Sequence, residues 1–290
     1  MNTKCCGIVM PRVPANDVPV HIFRLAELGV DCDQFVRDVR PSFDRLEWDR
    51  YDPMKVQLAY LAGLGEPMAT EARRIQEHQG PDRLALHDAL INRLPAEHKA
   101  TVDAMLPFRR RAMRKFRLER IANGEWSAEC SADATFVQPV SDYRKQTRVF
   151  SLIESEIANH AGVLMMMSCA AETAHASDPA VKAFDAVLHQ VAVVARPGMS
   201  GFPAPEGVHQ DGAPFIVSAL VVERHGVTGG VSKIYNGRGT NPVVEIQLKA
   251  GEGIFQADAG TDLWHEITPI ELEREGVGHR MTFGIDLHGR

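Results

Sequence analysis

The chain has 290 residues, with 32 basic against 38 acidic side chains and a formal net charge of -6. Nothing in that balance favours nucleic acid or an anionic membrane as a partner. Its 44% hydrophobic and 24% charged content is ordinary for a chain that buries a full core, and the longest apolar run, around residues 162–171, is far too short to span a bilayer.

In chain order, the first half reads helical. Ile22, Phe23, Leu25, Leu28, Phe35 and Val36 recur at mixed helical spacing over residues 18–39, with a break at Gly29. Helices are expected over 54–64 and 70–78, separated by the Gly65-Glu66-Pro67 turn, and over 81–94, which opens on proline and aspartate. A last helix is expected over 96–121, with Pro107 as a candidate break, ending at Asn123-Gly124. Its basic run from Arg109 to Arg120 reads as a solvated helix face with Met113, Phe116 and Ile121 inward.

After about residue 131 the rhythm changes. Residues 134–140 look extended, 143–146 form a loop, and helices are expected over 154–171 and, behind a Ser177-Asp178 cap, over 179–189. The Met165-Met166-Met167 run reads as core. Strands follow over 191–196, 215–223, 232–235, 243–249, 253–257 and 280–287, punctuated by turns such as Thr228-Gly229-Gly230. Many short strands with tight turns favour a sandwich or jelly roll over a parallel sheet. Five cysteines (Cys5, Cys6, Cys32, Cys130 and Cys169) form no CxxC pair and no even framework. With no secretory leader to read, they predict free thiols in a cytoplasmic setting.

The segment Pro205-Glu206-Gly207-Val208-His209-Gln210-Asp211-Gly212 carries the chemistry. In an extended chain His209 and Asp211 point to one face. His265, in Asp262-Leu263-Trp264-His265-Glu266, lies far enough along for several antiparallel strands to return beside them. Two histidines and one carboxylate can hold a ferrous ion and leave positions open for substrate and oxygen. A lone His-x-Asp is more often an ordinary surface pair, but flanking glycines and a suitable last strand raise its weight. In that strand Met281, Phe283, Ile285 and Leu287 share one face, and Arg280, Thr282, Gly284 and Asp286 the other. Turned inward, the Arg280 fork and the Thr282 hydroxyl suit a carboxylate seen end-on.

Taken together, these residues resemble the Fe(II)/2-oxoglutarate-dependent dioxygenases, and more narrowly the bacterial free amino acid hydroxylases of the isoleucine 4-hydroxylase type. The matching pieces are Phe136-Val137-Gln138, Arg148-Val149-Phe150, the segment 205–212, Val227-Thr228-Gly229-Gly230, the segment 264–270 and Gly278-His279-Arg280. The resemblance implies an α+β fold whose double-stranded β-helix (a cupin-like jelly roll) spans residues 131–290, behind a mainly helical region over 1–130. It implies Fe(II) on His209, Asp211 and His265, and 2-oxoglutarate with its far carboxylate on Arg280. With O2 as the third reactant, an unactivated C–H bond is hydroxylated and succinate and CO2 are released. A small substrate, most simply an amino acid, needs a cation for its carboxylate and an acceptor for its ammonium. Arg144, Arg148 and Arg196 are candidates for the first, Glu206 and Asp142 for the second. Neither nucleic acid nor membrane is expected as partner, and a homodimer stays open. The competing readings are a cupin-like metal-binding or hydrolytic protein without oxygen activation, and a peptide or protein hydroxylase.

Overall fold

The structure is a computed structural model that describes residues 8–10, 19–138, 145–239 and 241–290. Its helices are α1 (Cys32–Asp44), α2 (Tyr51–Ala62), α3 (Met68–Glu77), α4 (Arg83–Ile91), α5 (Ala96–Asp103), α6 (Ser155–Ala158) and α7 (Ala161–Ser177). In the first half the strands are β1 (Ile8–Val9), β2 (Val20–Arg24), β3 (Arg109–Arg120) and β4 (Trp126–Cys130). The short strands β5 (Thr135–Phe136), β6 (Arg148–Val149) and β7 (Ser151–Leu152) lead to β8 (Ala183–Ala195), β9 (Phe215–His225), β10 (Val227–Gly229) and β11 (Ser232–Asn236). The chain closes with β12 (Val244–Ile246), β13 (Glu252–Ala257), β14 (Leu263–Ile267), β15 (Ile270–Leu272) and β16 (Gly278–Gly289).

One nine-stranded sheet dominates, in the order β1-β4-β3-β8-β16-β9-β13-β2, with β7 beside β3. Among the described residues, the short β3/β7 pairing is its one parallel pairing. Side-chain alternation gives this sheet two unlike faces. On one, Phe116, Phe184, Leu188, Ala192, Met281 and Phe283 pack against Phe35, Val39 and Phe43 of α1 and against the buried face of α7. Asp31 starts α1 by accepting the Gln34 amide at 3.0 Å, which satisfies one of the helix's unpaired first-turn donors. On the other face lies a smaller layer made of β12-β11-β14 and β10-β15. Ile234 meets Ala219, Val221 and Ile254 of the large sheet there, while Val227 and Ile270 meet Val193 and Ala195. This two-layer antiparallel arrangement is consistent with a 2-oxoglutarate oxygenase jelly roll. Helices α2 to α5 gather around a core of their own, built on Met54, Leu58, Leu61, Ile75 and Leu90.

Several sequence expectations are corrected. The helix expected over 96–121 ends at Asp103, and Arg109–Arg120 is a strand between β4 and β8. Its basic run is therefore no solvated helix face: Arg114 is buried, with Nε and Nη2 donating to the Ile153 carbonyl. The helix expected over 179–189 is the first half of β8, where Phe184, Ala186 and Leu188 turn to the core at every second residue. The first expected helix is a strand, a 3-10 turn and then α1. Met166 and Met167 are fully buried, as core residues should be. Cys32 and Cys169 are free thiols, but Cys130, at the end of the strand on which β1 packs, is disulfide-bonded. Asp142, Arg144, Cys5 and Cys6 lie outside the described residues. Among the described residues, no helix is long and apolar enough to cross a membrane.

Candidate active site

His209 follows the loop after β8, and His265 is the middle residue of β14. The two form an isolated antiparallel bridge, each amide donating to the other's carbonyl at 2.9 Å. Their ring centroids are 4.3 Å apart. Asp211 stands two residues on, its Oδ1 at 3.5 Å from His209 Nε2 and its Oδ2 at 3.4 Å from His265 Nε2. The three potential ligand atoms lie within 4.8 Å of one another. Atoms bound to one divalent ion at about 2.1 Å stand roughly 3 Å apart, so small side-chain rotations bring this set onto an ion.

The hydrogen bonds behind the ligands favour the same outcome. His209 Nδ1 lies 2.8 Å from the Gly207 carbonyl and donates its proton there, which turns Nε2 toward Asp211 as the ring atom left for a metal. His265 Nδ1 lies 3.4 Å from Asp258 Oδ1 and 3.3 Å from the Gln256 amide. Asp258 is wholly buried, and its other oxygen accepts the Asp211 and Gly212 amides at 2.8 and 3.0 Å. One carboxylate thus orients a histidine and the loop that carries Asp211. Burial opposes charge on Asp211, yet hydrogen bonds from the two imidazoles outweigh it and hold the carboxyl well below its ordinary range. Burial likewise opposes charge on His265, but Asp211 and Asp258 prevail and push it up to about 10.

Strand register supplies the rest of the cavity. Across β3, β8 and β16, Arg109 sits opposite Val193 and Val193 opposite Arg280; Arg111 sits opposite Val191 and Val191 opposite Thr282. All six, with His189, Gly284 and Asp286, line one cavity together with His209, Asp211 and His265. Its space, counted together with the open solvent at its mouth, is about 880 Å³.

Arg280 is only 2% exposed, and its Nε and Nη2 are buried without a hydrogen-bond partner. Burial, aided by nearby Arg224, pulls its guanidinium down to about 9, still charged at neutral pH. A buried cation with idle donors calls for an anion. The Thr-Gly-Gly turn makes room for it. A Cβ on Gly230 would lie 3.0 Å from Arg280 Cδ, and one on Gly229 only 2.0 Å from the Pro269 carbonyl oxygen, both at positive φ.

Of the substrate candidates, Arg148 and Glu206 line this cavity. Arg148 sits opposite Phe136 in the β5/β6 pair and donates from Nη2 to Gln138 Oε1 at 2.5 Å; Gln138 Nε2 in turn donates to Asp211 Oδ1 at 3.2 Å. Arg196 does not reach the cavity. It shares its strand face with Ala192 and Val194, opposite to Val191 and Val193, donates to the Pro107 carbonyl and stacks on Trp48. Sequence reasoning did not single out Asp258, Gln256, Arg111, His189 or Asp286. Only Asp286 gave a signal, as a polar residue on the Arg280 face of the last strand.

The donor set fits a ferrous ion with a dicarboxylate beside it, and comparison with known proteins bears on which chemistry that serves. No curated protein sequence matches the chain. Among solved structures it is similar to a bsmA homolog from Methylobium petroleophilum PM1, at 21% identity over 64% of this chain and 73% of that one, with a TM-score of 0.55. It is also similar to IDO from Bacillus thuringiensis, at 13% identity over 90% and 100% of the two chains and a TM-score of 0.54. At such identities these likenesses speak for the fold alone. The family model for 2OG-Fe dioxygenases, however, matches residues 89–286, a span that takes in β3, β8, most of β16 and every group just placed around the cavity. The chain therefore belongs to the 2OG-Fe dioxygenase family, and is an enzyme that works with Fe(II), 2-oxoglutarate and O2.

Proposed function

We propose that this enzyme hydroxylates an unactivated C–H bond of a small amphipathic substrate, a free L-amino acid or a close derivative, releasing succinate and CO2. In this reading His209, Asp211 and His265 hold the iron, while Arg280, helped by Thr282, holds the far carboxylate of 2-oxoglutarate. Iron with its cosubstrate and oxygen supplies the oxidising power for the C–H bond. The chain's own residues do the positioning. Gly207 and Asp258 lie behind the two Nδ1 atoms, so that each ring presents Nε2 to the metal position, where binding an ion would displace any proton held there. The Arg280 fork sets the cosubstrate's direction from a central strand, flanked by β8 and β9. Val191, Val193 and Ile267 make the wall against which a substrate's apolar part packs, and Arg148 and Glu206 offer opposite charges to its polar part.

The observation that carries this reading is the buried Arg280, with two idle nitrogens, in the same cavity as the His-Asp-His cluster. A site for a structural metal alone has no use for it, and the family match stands against a hydrolytic or purely metal-binding protein. The test is anaerobic addition of Fe(II) and 2-oxoglutarate. A visible charge-transfer band is expected with the wild type and should fade in Arg280→Ala, while Arg280→Lys should raise the 2-oxoglutarate KM more than it lowers metal affinity. Mass spectrometry across the free amino acids should find one that gains a single oxygen atom. An unchanged KM in Arg280→Lys would contradict the anchor, and gain of oxygen only on peptides would contradict the substrate class.

A further inference from the structure

Among the described residues, two arginines of the cavity, Arg111 and Arg148, are in no ion pair with a carboxylate, and neither holds iron or 2-oxoglutarate in the reading above. On β3, Arg109 donates from Nε to Asp52 at 2.8 Å, with Asp49 at 3.6 Å behind it. Arg111, two residues on and on the same face, is placed differently. Its Nη2 donates to His189 Nδ1 at 3.0 Å, a neutral acceptor because His189 Nε2 donates to Asp286 at 3.1 Å. The Nε of Arg111 is buried without a partner. Arg148, 8% exposed, among the described residues bonds the Gln138 amide oxygen alone, and its Nε is also buried and idle.

The two guanidiniums converge on one aromatic ring. Arg111 Cζ lies 5.0 Å and Arg148 Cζ 4.8 Å from the Phe136 centroid, and Arg111 Cζ lies 4.7 Å from Phe150. Aromatic faces steady two like charges but supply no oxygen lone pairs. Burial first, and then the charge of Arg111, pulls Arg148 down to about 10, and burial pulls Arg111 down as well. Asp49 acts on both guanidiniums, Asp286 and Asp211 on Arg111 and Glu206 on Arg148, yet burial outweighs them, and holding two cations so close with idle donors is costly. Arg280 does not share this role: the register sets Arg111 two strands away from β16, roughly 10 Å at the backbone, beyond the reach of a carboxylate already seated on Arg280.

We propose that Arg111 and Arg148, braced on Phe136, form an oxyanion cradle that takes a carboxylate of the organic substrate, separate from the 2-oxoglutarate anchor. The inference rests on the reading of Arg280 and the His-Asp-His cluster given above, and it defines the substrate class. Substrates carry a free carboxylate, and their amides are not accepted. A planar carboxylate meets the two forks with two oxygens, and replacing one oxygen by an amide nitrogen would turn a donor toward donors.

The test uses the full chain loaded with Mn(II) in place of Fe(II) and saturated with 2-oxoglutarate, with [1-13C]acetate as probe and [1-13C]acetamide as neutral control. Paramagnetic enhancement of the probe's 13C relaxation reports a carboxylate lodged near the metal. It is expected in the wild type with acetate and not with acetamide, and should fall at least tenfold in Arg111→Gln. Arg148→Gln, on a short outer strand, should show the same loss and keeps the test informative should the β3 variant fail to fold. Equal enhancement for acetate and acetamide, for wild type and the variants, or none in the wild type, would overturn the cradle. Mn(II) binding followed by electron paramagnetic resonance and 2-oxoglutarate binding by calorimetry separate the two levels. If these are absent, or if Arg280→Gln keeps the cosubstrate, the underlying reading fails; if they behave as expected and only the acetate arms disagree, the cradle alone fails.

Discussion

At the scale of single residues, the site depends on groups that never touch a ligand. Asp258 braces His265 with one oxygen and two amides of the Asp211 loop with the other. Asp258→Asn keeps the volume but replaces a charged acceptor, and metal affinity is expected to fall about 10- to 100-fold, as read by Mn(II) titration. His189 is the second such residue. Burial, then the positive charge of Arg111, lowers its pKa from the usual 6.5, against the opposite pull of Asp286 and Asp211. Below pH 6.5 the unfolded chain therefore takes up a proton that the folded one refuses, so stability is present above that pH and declines as pH falls through the lowered value. Urea unfolding between pH 7 and pH 5 should show this decline in the wild type and a flatter profile in His189→Gln. That His209, Asp211 and His265 converge, and that Arg280 faces the same cavity, was legible in sequence because spacing and alternation expose them. Asp258 was not: it follows β13 in Ala257-Asp258-Ala259-Gly260, where an aspartate before a glycine looks like ordinary turn chemistry.

At the scale of elements, β16 and β3 show why one strand was readable and another was not. β16 alternates cleanly, with Met281, Phe283, Ile285 and Leu287 buried in the core behind the cavity face. Phe283 is wholly buried, with ring centroids 5.3 Å from Phe43 and 6.3 Å from Phe35. Phe283→Ala should cost about 3–5 kcal/mol, measured by chemical denaturation, while the cavity residues on the strand's other face stay in place. In β3 the same period is hidden, because arginines occupy both faces. Arg109 and Arg111 serve the cavity, whereas Arg114 is interposed among the core residues Ala112, Phe116 and Leu118. Local consistency breaks where function needs charge inside, so a strand central to the sheet reads as a polar helix. β8 misled differently: Ala183, Ala186 and Leu188 are good helix formers, and only its pairing with β3 and β16 settles it as a strand.

At the scale of the molecule, the strand-rich second half and its antiparallel, two-layer character were legible from turn spacing. The contribution of residues before 131 to the same sheet, through β1, β2, β3 and β4, was not, since strand partners so distant in sequence leave no local trace. The His209–His265 bridge has a consequence for the enzyme's handling of iron. Its two backbone bonds are an isolated rung, outside any long ladder, and such rungs open at little free-energy cost. An ion gripping both imidazoles and Asp211 would act as a latch across the gap between the layers. Deuterium uptake at the His209 and His265 amides should slow sharply on loading with Mn(II), while α3, remote from the cavity, exchanges as before. The same closure that prepares the centre for chemistry would then keep its lip of the barrel shut, and an enzyme stripped of metal would gape there first.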